Sequence, residues 1–161
     1  MISYIGIDLG QKGALTIQSK LAGSKPTWEI YPFYARHNDE TRQRTLTEND
    51  FYNLFASITN RSPECYVTIE RPVFMPKNGK KAVAGLHEHF GLIKGMLIGL
   101  GITSFWFPTP MQWKKEVGAP GNDKDQMLVK ASQLTKVPNL SPITADSVLI
   151  CEACRLRFRD S

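Results

Sequence analysis

Ile2-Ser3-Tyr4-Ile5-Gly6-Ile7-Asp8-Leu9-Gly10-Gln11-Lys12-Gly13-Ala14-Leu15 is the stretch on which the fold turns. Residues 2–9 alternate and then run apolar, with β-branched side chains, and stop at Asp8-Leu9-Gly10. That is the pattern of a buried strand ending in a turn. The tight Gly10-Gln11-Lys12-Gly13 connection returns the chain into a second strand over 13–18. A Gly23-Ser24-Lys25-Pro26 turn then precedes a third strand over 28–34. Strands joined this closely form an antiparallel meander.

Outward from the meander, residues 38–44 are polar and read as a loop. Thr47 holds the place of an N-cap for a helix carrying Phe51, Leu54, Phe55 and Ile58 at helical spacing. Residues 65–70 form a short apolar strand with Glu70 at its carboxyl end, followed by a Pro-, Gly- and Lys-rich loop over 71–81. A long helix is predicted over 82–100 and a strand over 102–107. A short helix containing Trp113-Lys114-Lys115 follows the Pro108-Thr109-Pro110 turn. Another helix starts at Asn122 or Asp123 and runs to about 135, and the last spans 144–158. With no repeat or linker, residues 1–161 are expected to form one α/β domain. Its mixed five-stranded sheet, antiparallel meander first and parallel strands after, is flanked by helices.

A chain of 161 residues can bury a sizeable core without disulfide or zinc support. With 42% hydrophobic and 22% charged residues it is globular rather than disordered. A net charge of +5 and a pI near 9.2 are compatible with a polyanionic partner, although the excess is modest. The most apolar run, 91–107, is broken by Lys94 and by glycines, so no membrane span is expected. The first residues lack the basic start and cleavage site of a signal peptide, and an intracellular protein is expected. The cytoplasm or nucleoid would be the place for a bacterial or phage protein, and an organelle or nucleus otherwise. Three cysteines give no disulfide framework. Cys151 and Cys154 fall in a helical pattern with no second Cys or His pair nearby, and read as two helix-face thiols.

Three acids stand apart by their surroundings. Asp8 and Glu70 each end a buried strand, and Asp146 begins an apolar helix. Catalytic groups in α/β sheets gather beyond the carboxyl ends of central strands. If the two strands are neighbours, Asp8 and Glu70 lie side by side there, and the last helix need only bring its start over that edge. Clustered carboxylates repel one another unless a cation is present. Mg²⁺ or Mn²⁺ suits such hard oxygen ligands, and a pair of ions can drive phosphodiester hydrolysis. Singly, each acid has a plainer use. Asp8 could cap a turn, Glu70 could pair with Arg71, and Asp146 could be a first-turn acid favoured by the helix dipole.

Read in order, the motifs resemble RuvC-type Holliday junction resolvases of the RNase H-like superfamily, including their phage and chloroplast relatives. Ile5-Gly6-Ile7-Asp8-Leu9-Gly10 with Gly13-Ala14-Leu15 resembles the opening motif, and Ile69-Glu70-Arg71-Pro72 the second acidic motif. Pro110-Met111-Gln112-Trp113-Lys114-Lys115 with Asn122-Asp123-Lys124 is similar to the basic segment, and Ala145-Asp146-Ser147-Val148-Leu149-Ile150 to the closing motif. The resemblance spans nearly the whole chain. It implies an RNase H-like fold and a homodimeric endonuclease that resolves four-way DNA junctions by paired symmetric nicks, leaving 5′-phosphate and 3′-hydroxyl ends. Asp8, Glu70 and Asp146 would hold two Mg²⁺ or Mn²⁺ ions. Lys114 and Lys124 would approach the scissile phosphate, with Lys115 beside them on the DNA. Phe74 would stack on unpaired bases at the junction centre. The family usually carries another acid or histidine shortly before the last aspartate. Here Ser141, Pro142 and Ile143 precede Thr144, so that ligand is missing or comes from elsewhere, with Asp123 a remote candidate.

Lys77, Lys80 and Lys81 in the loop after Glu70 are expected to neutralise phosphates without reading sequence, with Phe74 stacking beside them. His87-Glu88-His89 is not a zinc motif, because its histidines point to different sides of a helix; a surface or interface role is expected. Trp113 is expected to pack and so fix the helix of Lys114. Gly85, Gly91, Gly95 and Gly99 permit close approach, either to the chain's own sheet or to a second copy across a two-fold axis. Other readings are an RNase H-like nuclease acting on flaps, branched DNA or RNA–DNA hybrids, and a catalytically weakened junction-binding protein.

Overall fold

Alternation along the first strand decides which layer each side chain meets. β1 (Ile2–Asp8) pairs antiparallel with β2 (Lys12–Lys20), and β2 pairs antiparallel with β3 (Thr27–Tyr34). On its other edge β1 pairs parallel with β4 (Glu64–Ile69), and β4 pairs parallel with β5 (Ser104–Trp106). The order β3-β2-β1-β4-β5 is the expected mixed five-stranded sheet, with β1 at its centre. The computed structural model describes residues 1–10, 12–34, 46–73, 79–119, 121, 123–138 and 140–159. The polar segment 38–44 lies outside them.

Ile5 and Ile7 of β1, Leu15 and Ile17 of β2, and Val67 and Ile69 of β4 point to one side. There they meet Phe51, Phe55 and Ile58 of α1 (Glu48–Arg61), with Ile93 and Leu97 of α2 (Lys80–Gly99). Each fully buried aliphatic side chain contributes about 1.5–3 kcal/mol to stability. Thr47 caps α1 as expected, in a reciprocal capping box with Asp50. The opposite side carries α3 (Pro110–Glu116), α4 (Lys124–Thr135) and α5 (Pro142–Phe158), which share a second cluster of Trp113, Val117, Met127, Ala131, Val148 and Leu149. Among the described residues no helix is long and apolar enough to cross a membrane.

Two boundaries differ from expectation in ways that move site residues. α2 begins at Lys80, with Gly79 in the N-cap position, because the Ala82 and Val83 N–H groups both donate to the Gly79 carbonyl. Lys80 and Lys81 therefore form the first turn of a helix, not part of a loop. α5 begins at Pro142 rather than at Thr144, since proline suits the first helical position, where its missing N–H has no partner to lose. Asp146 therefore lies in the second turn and is not a first-turn acid.

Candidate active site

β1 and β4 run parallel with Ile7 beside Ile69, and the Glu70 N–H extends the pairing by donating to the Ile7 carbonyl at 3.0 Å. Asp8 and Glu70 thus follow one another's strand ends directly, at the carboxyl edge of the sheet centre. They share the alternation of Gly6 and Thr68, which face α5, so both acids lie on the α5 side. α5 seats closely because Gly6 has no side chain: a Cβ there would stand 2.6 Å from the Ser147 carbonyl oxygen and 2.2 Å from the Cys151 nitrogen. Ser147 and Thr16 also share a buried hydroxyl hydrogen bond of 2.7 Å. Asp146, the residue before Ser147, is carried to the same edge.

The charge of Asp146 acts on both Asp8 and Glu70. Burial pushes the Asp8 carboxyl up to about 6; the Asp146 charge adds to this, while the Gly10 N–H and Lys124 oppose it. Burial pushes Glu70 up to about 7, the Asp8 and Asp146 charges raise it further, and the Trp113 hydrogen bond and Lys114 oppose the rise. Asp8 Oδ1 accepts the Gly10 N–H at 2.9 Å, so the turn-capping use of Asp8 coexists with its place in the cluster. Glu70 Oε2 accepts from Trp113 Nε1 at 2.6 Å. Asp146 Oδ2 pairs with the Lys124 ammonium, while Oδ1 is buried with no hydrogen-bond partner among the described residues.

Among the described residues, no three His, Cys, Asp or Glu side chains already stand in a metal-holding arrangement. The acids are instead engaged by Gly10, Trp113 and Lys124. Their chemistry nevertheless suits a hard divalent cation. They bring three carboxylates to one edge, two of them starved of water and raised by their neighbours, and the third has an orphaned oxygen. Asp123 does not complete the set, because it caps α4: Oδ1 accepts the Asp125 and Gln126 N–H groups and Oδ2 accepts from Gln126 Nε2. One turn before Asp146, on its own face of α5, stands Ile143.

Two of the basic residues, Lys124 and Lys114, act on the acids of this edge. Lys124 sits on Asp146, and Lys114 Nζ lies 5.5 Å from the centre of the Trp113 ring. Lys115, Lys80 and Lys81 are exposed. Lys80 and Lys81 oppose the dipole of α2 at its start, which has no side-chain cap. Phe74 and Lys77 lie outside the described residues. His87 is exposed, whereas His89 is partly buried: its ring packs edge-on against Phe33 and Phe51, 5.7 and 5.6 Å away, and burial pushes its pKa down. Cys151 and Cys154 are buried on the sheet side of α5, where Cys151 Sγ donates to the Tyr4 carbonyl.

A shallow cavity of about 180 Å³ opens beside Glu70, walled by Leu9, Pro72, Val73, Leu86 and Pro110. A larger one, about 290 Å³, lies at the opposite end of β4 and β5 and contains none of the three acids. Of the three acids, Glu70 lines the smaller. The residue that sequence reasoning undervalued is Trp113. Its available signal was that a buried indole needs a partner for its N–H, and the nearest acid-bearing strand end supplies one.

A mixed sheet of this order, with acids at the ends of its central parallel strands, is an RNase H-like α/β fold. Neither a protein-family model nor a curated protein matches the sequence. Solved structures do share the fold. The Thermus thermophilus RuvC in complex with Holliday junction substrate superposes with a TM-score of 0.70 at 13% identity, over 98% of this chain and 96% of that one. A second Thermus thermophilus RuvC structure gives 0.64 at 14%, over 98% and 96%. The yeast mitochondrial Holliday junction resolvase Ydc2 gives 0.52 at 15%, over 94% of this chain and 77% of that one.

Proposed function

We propose that this protein is a divalent-metal-dependent endonuclease that cuts branched DNA, above all four-way junctions, by paired symmetric nicks. The observation that carries this reading is the meeting of Asp8, Glu70 and Asp146 at one sheet edge, from β1, the end of β4 and α5. The whole-chain likeness in fold to a RuvC bound to a Holliday junction supports the choice of substrate.

Asp8, Glu70 and Asp146 would hold Mg²⁺ or Mn²⁺, two ions per site. The chemistry such ions supply when bound is activation of water and neutralisation of charge on a phosphodiester, with 5′-phosphate and 3′-hydroxyl ends as products. The chain's own contribution is positioning. The strand ends fix two carboxylates, α5 fixes the third, and Lys114, Lys115 and Lys124 surround them with positive charge that draws in a phosphate backbone. Lys80 and Lys81 add non-specific phosphate contacts, and Phe74 and Lys77 would belong to the same DNA-facing segment. A second copy of the chain is the partner that two opposed cuts require. On α2, Gly85, Gly91, Gly95 and Gly99 have open space where a Cβ would stand, and Leu92 and Ile98 are exposed beside them. Among the described residues, the close approach these glycines permit is therefore not used.

Incubation with a synthetic immobile four-way junction should give paired nicks with Mg²⁺ and none with EDTA, while flap, duplex and RNA–DNA hybrid substrates are cut more slowly. Hybrid cleavage as fast as junction cleavage would reassign the substrate. The three-acid site favours one other reading, a junction-binding protein that cuts poorly. Ile143→Asp should then lower the Mg²⁺ needed for half-maximal cleavage, since an added carboxylate offsets cation repulsion. An unchanged metal titration would mean that another residue completes the site.

A further inference from the structure

The geometry points to Trp113 as a positioning residue for Glu70: its indole N–H holds one carboxylate oxygen so that the rest of the carboxylate stays aimed at the shared edge. The inference rests on the metal-site reading above and deepens it. Trp113 is only 1% exposed, and its N–H has been taken fully out of water. Its partner is Glu70 Oε2, at 2.6 Å. A carboxylate offers about four acceptor positions, so this bond occupies one and leaves the others.

The ring's packing explains why the bond can orient rather than merely accompany. Trp113 is buried with Val117 of its own region, Met127 of α4 and Val148 of α5. α4 begins with Lys124 and α5 carries Asp146, so the indole ties the layer bearing those groups to the strand end bearing Glu70. α3 is itself held at its start, where Thr109 and Gln112 form a reciprocal capping box and the Arg71 N–H donates to the Pro108 carbonyl. Rotation of the indole away from Glu70 would break packing on two helices. Partners of this kind, one bond removed from a metal ligand, typically change metal affinity by about 10–100-fold.

The cleanest test replaces Trp113 with its benzothienyl analogue, which keeps the ring and lacks the N–H; Trp113→Phe serves as a second variant. Mn²⁺ binding without DNA is followed by calorimetry, and melting temperature separately. The analogue should bind Mn²⁺ about tenfold or more weakly while melting close to wild type. In a Glu70→Ala background it should cost no further affinity. The Trp113 indole N–H resonance, assigned from Trp113→Phe, should shift upfield in Glu70→Ala. Equal Mn²⁺ affinity for analogue and wild type, or an unmoved resonance, overturns the positioning role. Failure of the wild type to bind Mn²⁺ at all overturns the metal site itself, and is distinguished because the resonance still reports the hydrogen bond.

Discussion

Freed of metal, the Asp8→Asn protein should melt above wild type at pH 7.5, while its junction cleavage falls by more than about a hundredfold, the upper range for partners one bond further out. The stability gain follows from the raised carboxyls. Asp8 is pushed from 3.8 to about 6 and Glu70 from 4.5 to about 7, so the folded chain holds protons that the unfolded chain releases. The part of the stability that these two groups control is therefore full below about pH 4 and declines as pH rises through about 6 to 7. Each pKa unit corresponds to about 1.4 kcal/mol, which makes the Asp8 cost on the order of 3 kcal/mol. The Asp8 and Glu70 costs overlap, since the Asp8 charge raises Glu70. Asparagine keeps an oxygen for the Gly10 N–H and removes the charge, for a gain of about 5–10 °C. Melting curves in EDTA across pH 4 to 8 should show the gain appear near neutrality and vanish at pH 4. Saturating Mg²⁺ should raise wild type well above its EDTA value and barely move the variant. A lower melting temperature for Asp8→Asn in EDTA at pH 7.5 would show that Asp8 is a structural acid.

Gly6→Ala should damage both stability and the site. The added methyl would meet the Cys151 nitrogen at 2.2 Å, the Cys151 Cα at 2.6 Å and the Ser147 carbonyl oxygen at 2.6 Å. All three are backbone atoms of α5, so no side-chain rotation relieves the clash, and the helix must move off β1 by roughly an ångström. Overpacking of this kind costs about 1–3 kcal/mol and occasionally more, and a backbone obstacle belongs at the upper end. The melting temperature should fall by about 6–12 °C. Asp146 moves with α5, and a misplacement of about 1 Å can cost on the order of a hundredfold in rate. If Gly6→Ala melts and cuts like wild type, the close seating of α5 on β1 is wrong.

Local chemistry carried much of this protein's organisation. Two-residue alternation and the Gly10–Gly13 turn marked β1 and β2. Thr47 announced the start of α1, and the acids at Asp8 and Glu70 could be placed at strand ends. Those signals are readable because they arise between residues two to four apart, where one side chain caps or packs against its near neighbours. Tertiary structure alone decided the rest. That β4 lies beside β1 in a register bringing Glu70 next to Asp8 depends on contacts between residues about sixty apart. The glycines show the same division: Gly6 is read only as part of a motif until α5 is seen against it, whereas a Cβ at the more conspicuous α2 glycines would meet nothing within 4 Å among the described residues. His89 was expected in a surface or interface role, yet its ring packs edge-on against Phe33 from the meander and Phe51 from α1. That Trp113 would need a partner for its N–H was readable, but that the partner is Glu70, and that Lys124 pairs with Asp146, was not. Each joins groups more than twenty residues apart, and which partner a buried polar group finds is set by the packing of whole layers, the sum of many small contacts that no local pattern encodes.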